Sequence, residues 1–128
     1  MSAYVVLVTL GALLFVFWTG ILVAQARGKY KIAAPAVTGN PDFERTYRVQ
    51  MNTLEWLPLF LVSFWIFATY WDQRVAALLG LVWIVGRFMY AQGYIAAAEK
   101  RSMGFLVQAV AVLLLFGGGL VGAVMSLL

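Results

Sequence analysis

The stretch FERTYRVQMNTLEWLPLF, residues 43–60, carries Arg45, Arg48, Asn52 and Glu55 at positions i, i+3, i+7 and i+10. On an α-helix that spacing puts all four on one face. A second set lies in VWIVGRFMYAQGYIAAAEKR, where Arg87, Tyr90 and Tyr94 fall at i, i+3 and i+7. If that helix continued, Arg101 would return to the same side two turns later. A guanidinium fork bonds both oxygens of a carboxylate, and amides and phenols add directional bonds, so these residues together describe a site for a small polar anion. The chain has no cysteine and no histidine. Disulfides, thiolate metal sites and cysteine nucleophiles are thereby excluded, the commonest general base and metal ligand is missing, and no metal site is expected. Any chemistry must come from arginine, tyrosine, carboxylates, amides or a bound cosubstrate.

The elements that carry these residues are membrane helices. Of the 128 residues, 64% are hydrophobic and only 11% charged, against about half and about a quarter in soluble domains. With a mean hydropathy of +0.92, the chain reads as an integral membrane protein. A hydrocarbon core ~30 Å thick needs roughly 20 apolar helical residues. The segments at about 4–26, 43–70, 75–97 and 104–128 qualify. The first lacks a basic n-region and a small-residue cleavage site and reads as a retained span rather than a signal peptide. Asn40 before Pro41 suits the cap and first position of the second helix. Pro58 should kink it. Short connections around WDQR and AAEKRSMG force antiparallel neighbours. The expected fold is all-α: one domain over 1–128, an up-down-up-down bundle of four transmembrane helices.

The cations Arg27, Lys29, Lys31, Arg45, Arg48, Lys100 and Arg101 gather at the first and third connections, and the opposite side has only Arg74, beside Asp72. The positive-inside rule puts the first and third connections in the cytoplasm and accounts for the basic charge without nucleic acid. Glu55 lies roughly 18 Å into helix two, near mid-membrane, and needs a partner at that depth. Arg87, ~15 Å from the cytoplasmic end of helix three, is at nearly the same depth, and a Glu55–Arg87 pair is expected. Such a pair could serve only to fix helix register. Gln50 lies off the stripe and must look elsewhere, to another subunit for instance. Tyr94 also suits an interfacial anchor, the tryptophans suit packing or membrane-belt positions, and the run Gly117–Gly119 with Gly122 suits close helix approach.

The two motifs FERTYRVQMNTLEWLPLFL and GRFMYAQGY, with flanking similarity over about 24–101, resemble the membrane-associated proteins in eicosanoid and glutathione metabolism. This family includes microsomal glutathione transferases, leukotriene C4 synthase and the five-lipoxygenase-activating protein. The resemblance implies a homotrimer with glutathione bound between subunits near the cytoplasmic face. Arg27, Arg48, Gln50, Asn52, Glu55, Tyr90 and Tyr94 match positions that hold glutathione, and Arg87 matches a position near the same site. Arg101 matches the arginine held to stabilise the glutathione thiolate, which makes it the implied catalytic residue and the cosubstrate's sulfur the nucleophile.

Unlike the noncatalytic activating protein's pattern, this chain keeps Arg48, Glu55 and Arg101. Trp56 replaces a tyrosine of the leukotriene enzyme, Gly28 replaces the second of its paired arginines, and the fourth helix lacks its tail-capping tryptophan. These departures point away from leukotriene A4 and toward a broader range of lipophilic electrophiles or lipid hydroperoxides. The missing C-terminal extension points to a bacterial relative, hence an inner-membrane location with the site facing the cytoplasm. The expected function is a glutathione transferase, with peroxidase activity as an extension. The alternatives are a noncatalytic lipid-binding scaffold and a small four-helix exporter, although such exporters place their acid in the first helix.

Overall fold

A computed structural model covering residues 1–128 consists of α1 (Ala3–Tyr30), α2 (Pro41–Tyr70), α3 (Gln73–Ala96), a 3-10 turn (Ala98–Arg101) and α4 (Ser102–Met125). All four helices are long and apolar enough to cross a bilayer, and the chain is an integral, multi-pass membrane protein. Asn40 caps α2 as its side chain suggests, its Oδ1 accepting from the backbone N–H groups of Asp42 and Phe43, with Pro41 in the first turn. Pro58 lies inside α2, which continues as one helix from Pro41 to Tyr70 although Pro58 has no N–H to donate to the Leu54 carbonyl. At the far end Asp72 caps α3 through the N–H groups of Arg74 and Val75. Side-chain and then backbone hydrogen bonds from Arg74 hold the Asp72 carboxyl below its usual range. The cap is therefore intact at neutral pH and is lost as pH falls through that lowered value.

Each helix buries a narrow stripe and turns the rest outward. On α1 the buried positions are Val5, Val8, Ala12, Phe15, Thr19, Val23 and Ala26, the three-and-four spacing of one helical face. Large apolar residues such as Leu14, Phe17 and Leu113 are about two-thirds or more exposed. In water that surface would drive aggregation, whereas in hydrocarbon it is matched to its surroundings. Contacts run in opposite chain order along neighbouring helices: the Trp65 indole N–H donates to Thr9 Oγ1 while Gln50 sits against Gly20. The main core has Phe60 stacked on Trp83 with ring centroids 4.0 Å apart, and the Trp83 N–H donates to the buried Gln108 Oε1 at 3.1 Å.

The crossing of α3 and α4 is close enough to need glycine. A methyl group at Gly104 would overlap the Tyr90 backbone nitrogen, and one at Gly93 would overlap the Lys100 carbonyl oxygen. Gly104→Val should therefore cost about 1–3 kcal/mol by forcing the two backbones apart. Thermal unfolding in detergent reads this directly, and an unchanged midpoint would mean that the crossing is looser than described.

Candidate functional site

Near the end of the bundle that carries most of the cations, α2, α3 and the start of α4 enclose an open groove of about 740 Å³. Its lining is Arg48 and Asn52 from α2, Tyr90 and Tyr94 from α3, and Arg101, Ser102, Phe105, Leu106 and Ala109 from the turn and α4. Five residues named from sequence spacing thus face one cavity: Arg48, Asn52, Tyr90, Tyr94 and Arg101. The other lining residues have no signature of their own. Phe105, Leu106 and Ala109 follow a helical spacing that is indistinguishable from that of lipid-facing positions, so their part in the groove could not be read from sequence.

Arg48 and Glu55 form a forked ion pair along α2, with Nη1 donating to Oε1 at 2.8 Å and Nη2 to Oε2 at 3.3 Å. Both side chains are about half exposed, at 47% and 53%. An ion pair so open contributes little net stability, and its two ends can be exchanged for ligand groups of opposite charge. This arrangement overturns the expected Glu55–Arg87 pair. Arg87 makes no ion pair. It is fully buried and donates instead to Asn52 Oδ1 and Thr53 Oγ1, each at 2.8 Å. The two residues do share a depth, but depth says nothing about rotation about the helix axis. Glu55 points outward beside Arg48, two turns along the same helix, while Asn52 and Thr53 are the α2 residues turned toward Arg87.

Arg101 reaches the groove by an unexpected path. α3 stops at Ala96, Ala97 is extended with φ −165°, and the 3-10 turn brings the chain back. Arg101 then lies with Cζ 5.5 Å from the Tyr94 ring centroid and Nη1 donating to the Ala98 carbonyl. The bare Gly93 surface lets the Lys100 carbonyl settle against α3 and so sets this turn. Tyr94 in turn meets Tyr90 edge-on at 5.5 Å.

Arg45 contributes to none of this, since it bonds Asp42 and the Ile95 carbonyl. Arg27 and Gln50 also lie outside the groove. Arg27 Nη1 donates to the carbonyls of Ile32 at 3.2 Å and Ala36 at 2.8 Å, with its guanidinium 5.0 Å from the Phe43 ring centroid, and so holds the first connection. Gln50 faces α1 at Gly20. The groove is consequently a polar end formed by two arginines, an amide, a serine and two tyrosines, continuing into an apolar wall along α4. An anion can bind at the first part with a lipophilic molecule alongside it at the second.

Several known proteins are similar in sequence to this chain. The chain is 51% identical over 108 residues to an uncharacterized protein of Synechocystis sp., covering 84% of this chain and 76% of that one. It is 49% identical over 83 residues to human microsomal glutathione S-transferase 2, covering 65% of this chain and 56% of the human protein, little more than half its length. It is 39% identical over 94 residues to bovine leukotriene C4 synthase, covering 73% and 63% of the two chains. Residues 5–121 fit the sequence profile of the MAPEG family, and the chain belongs to that family.

Proposed function

We propose that this protein is a membrane glutathione transferase that binds glutathione in the groove as its thiolate and presents it to lipophilic electrophiles entering from the bilayer. One observation carries the reading: Arg48, Asn52, Tyr90, Tyr94 and Arg101, from three separate segments, converge on a groove whose far wall is Phe105, Leu106 and Ala109. The Arg48–Glu55 pair is complementary to the zwitterion at the γ-glutamyl end of the tripeptide, with carboxylate to guanidinium and ammonium to carboxylate. The thiol then falls toward Arg101. A free thiol of pKa near 8.5 is mostly protonated at neutral pH, and a cation beside it favours the anion. The thiolate attacks an electrophilic carbon, a C–S bond forms, and the leaving group departs with the electron pair. Against a lipid hydroperoxide the same thiolate would cleave the O–O bond, and a second glutathione would complete the reduction to alcohol, water and glutathione disulfide.

Arg27 and Gln50, which stand apart from the groove within one protomer, fit this reading if an up-down-up-down bundle assembles as a homotrimer. The α1-side surface of one subunit would then complete the groove of the next. The cation distribution supports a cytoplasm-facing site, and the similarity to a Synechocystis protein supports a bacterial membrane, which we take to be the inner one. Detergent-solubilised protein should conjugate glutathione to 1-chloro-2,4-dinitrobenzene or reduce cumene hydroperoxide with it. Glutathione-independent lipid binding, with no turnover of either compound, would instead make the protein a noncatalytic lipid-binding member of the family.

A further inference from the structure

Arg87 lies behind the groove, where ligand cannot reach it. It is 0% exposed, is absent from the groove lining, and sits among three neutral groups: Asn52, Thr53 and the Tyr90 ring, whose centroid is 4.4 Å from its Cζ. Two of those neighbours, Asn52 and Tyr90, do line the groove. A guanidinium can only donate, so the amide edge of Asn52 that faces it must be the oxygen. Turning the amide over would set two donors against each other. With Oδ1 held by Arg87, the NH₂ edge of Asn52 is directed away from the guanidinium. Thr53 Oγ1, which passes its own proton to the Val49 carbonyl at 2.7 Å, fixes the second arm of the fork.

We infer that Arg87 is a positioning residue rather than a ligand contact: it locks the Asn52 amide with its two N–H donors toward the groove, so that this position accepts a carboxylate or carbonyl oxygen and rejects a cation. The inference rests on the glutathione reading above and assigns Asn52 to an oxygen of the tripeptide. It also gives the two sequence motifs a physical link, since Arg87 of the second holds Asn52 and Thr53 of the first.

The test is a double-mutant cycle read by calorimetric titration of glutathione. Arg87→Met and Asn52→Ala should each raise the Kd about tenfold, the usual consequence of losing an oriented hydrogen bond to a charged group. Arg87→Lys, which keeps the cation over Tyr90 and one donor, should recover part of the loss. In the Asn52→Ala background Arg87→Met should add less than about threefold, because the amide it orients is gone. Multiplicative losses in the double variant would show a direct or long-range effect of the charge and overturn the inference.

Asn52→Asp provides a check that does not depend on tolerance of an altered Arg87. It keeps an acceptor for the guanidinium and so should fold with an equal or higher thermal midpoint, yet it replaces the groove-facing donors with a second carboxylate oxygen. Its glutathione Kd should rise at least about tenfold. Glutathione affinity unchanged by Asn52→Asp would overturn the assigned orientation. Failure of the unsubstituted protein to bind glutathione would overturn the transferase reading and this inference with it, whereas binding with multiplicative losses would overturn the inference alone.

Discussion

Arg101→Ala lowers kcat for glutathione conjugation by on the order of tenfold to a hundredfold and leaves the glutathione Kd within about threefold. The expectation follows from where the residue sits. Arg101 is exposed at the rim, tied to the protein by the Ala98 carbonyl and the face of Tyr94, and free to turn toward a bound sulfur. Lowering the thiol pKa from about 8.5 by two units takes ~2.7 kcal/mol of preferential thiolate stabilisation, which one close cation can supply. At neutral pH the thiolate fraction would then rise from about 3% to roughly three-quarters. The sign shows in the pH profile: the rate of the unsubstituted protein should fall below about pH 6.5 and level off above about pH 7.5, while that of Arg101→Ala should keep rising through about pH 8.5. A variant with intact kcat and a weakened Kd would assign Arg101 to holding glutathione instead of activating it.

Arg48→Ala should show the opposite division. Its fork, which now bonds Glu55, offers a carboxylate-shaped site at the polar end of the groove, on a different element from the turn that carries Arg101. Losing a charge-assisted contact costs about 1.5–3 kcal/mol, or roughly tenfold to a hundredfold in Kd. At saturating glutathione kcat should stay within about threefold. Separate titration and saturation kinetics on the one variant distinguish the two effects, and a fall in kcat with unchanged Kd would contradict the assignment.

Much of the fold could be read from local chemistry. Asn40–Pro41 announced the start of α2, and the three-and-four spacing of polar residues in α2 and α3 picked out Arg48, Asn52, Tyr90 and Tyr94, which meet at the groove, along with Arg45, Glu55 and Arg87, which do not line it. Axial counting put Glu55 and Arg87 at a common depth, but it could not see that Glu55 rotates outward to Arg48 while Thr53, an ordinary-looking β-branched residue, turns inward to Arg87. Helical extrapolation returned Arg101 to the side of Tyr94. In the structure α3 ends first, and a tight turn packed against Gly93 makes the contact. The α4 wall was illegible for a different reason: in a membrane helix, positions facing lipid and positions facing a lipophilic substrate select the same side chains.

The most direct test of the groove as a thiolate site is a glutathione titration of the detergent-solubilised protein at neutral pH, following the ultraviolet absorbance of the thiolate. The unsubstituted protein should show a saturable thiolate signal, and Arg101→Ala should bind glutathione with that signal largely lost. Glutathione binding with no thiolate absorbance in the unsubstituted protein, or an undiminished signal in Arg101→Ala, would contradict it.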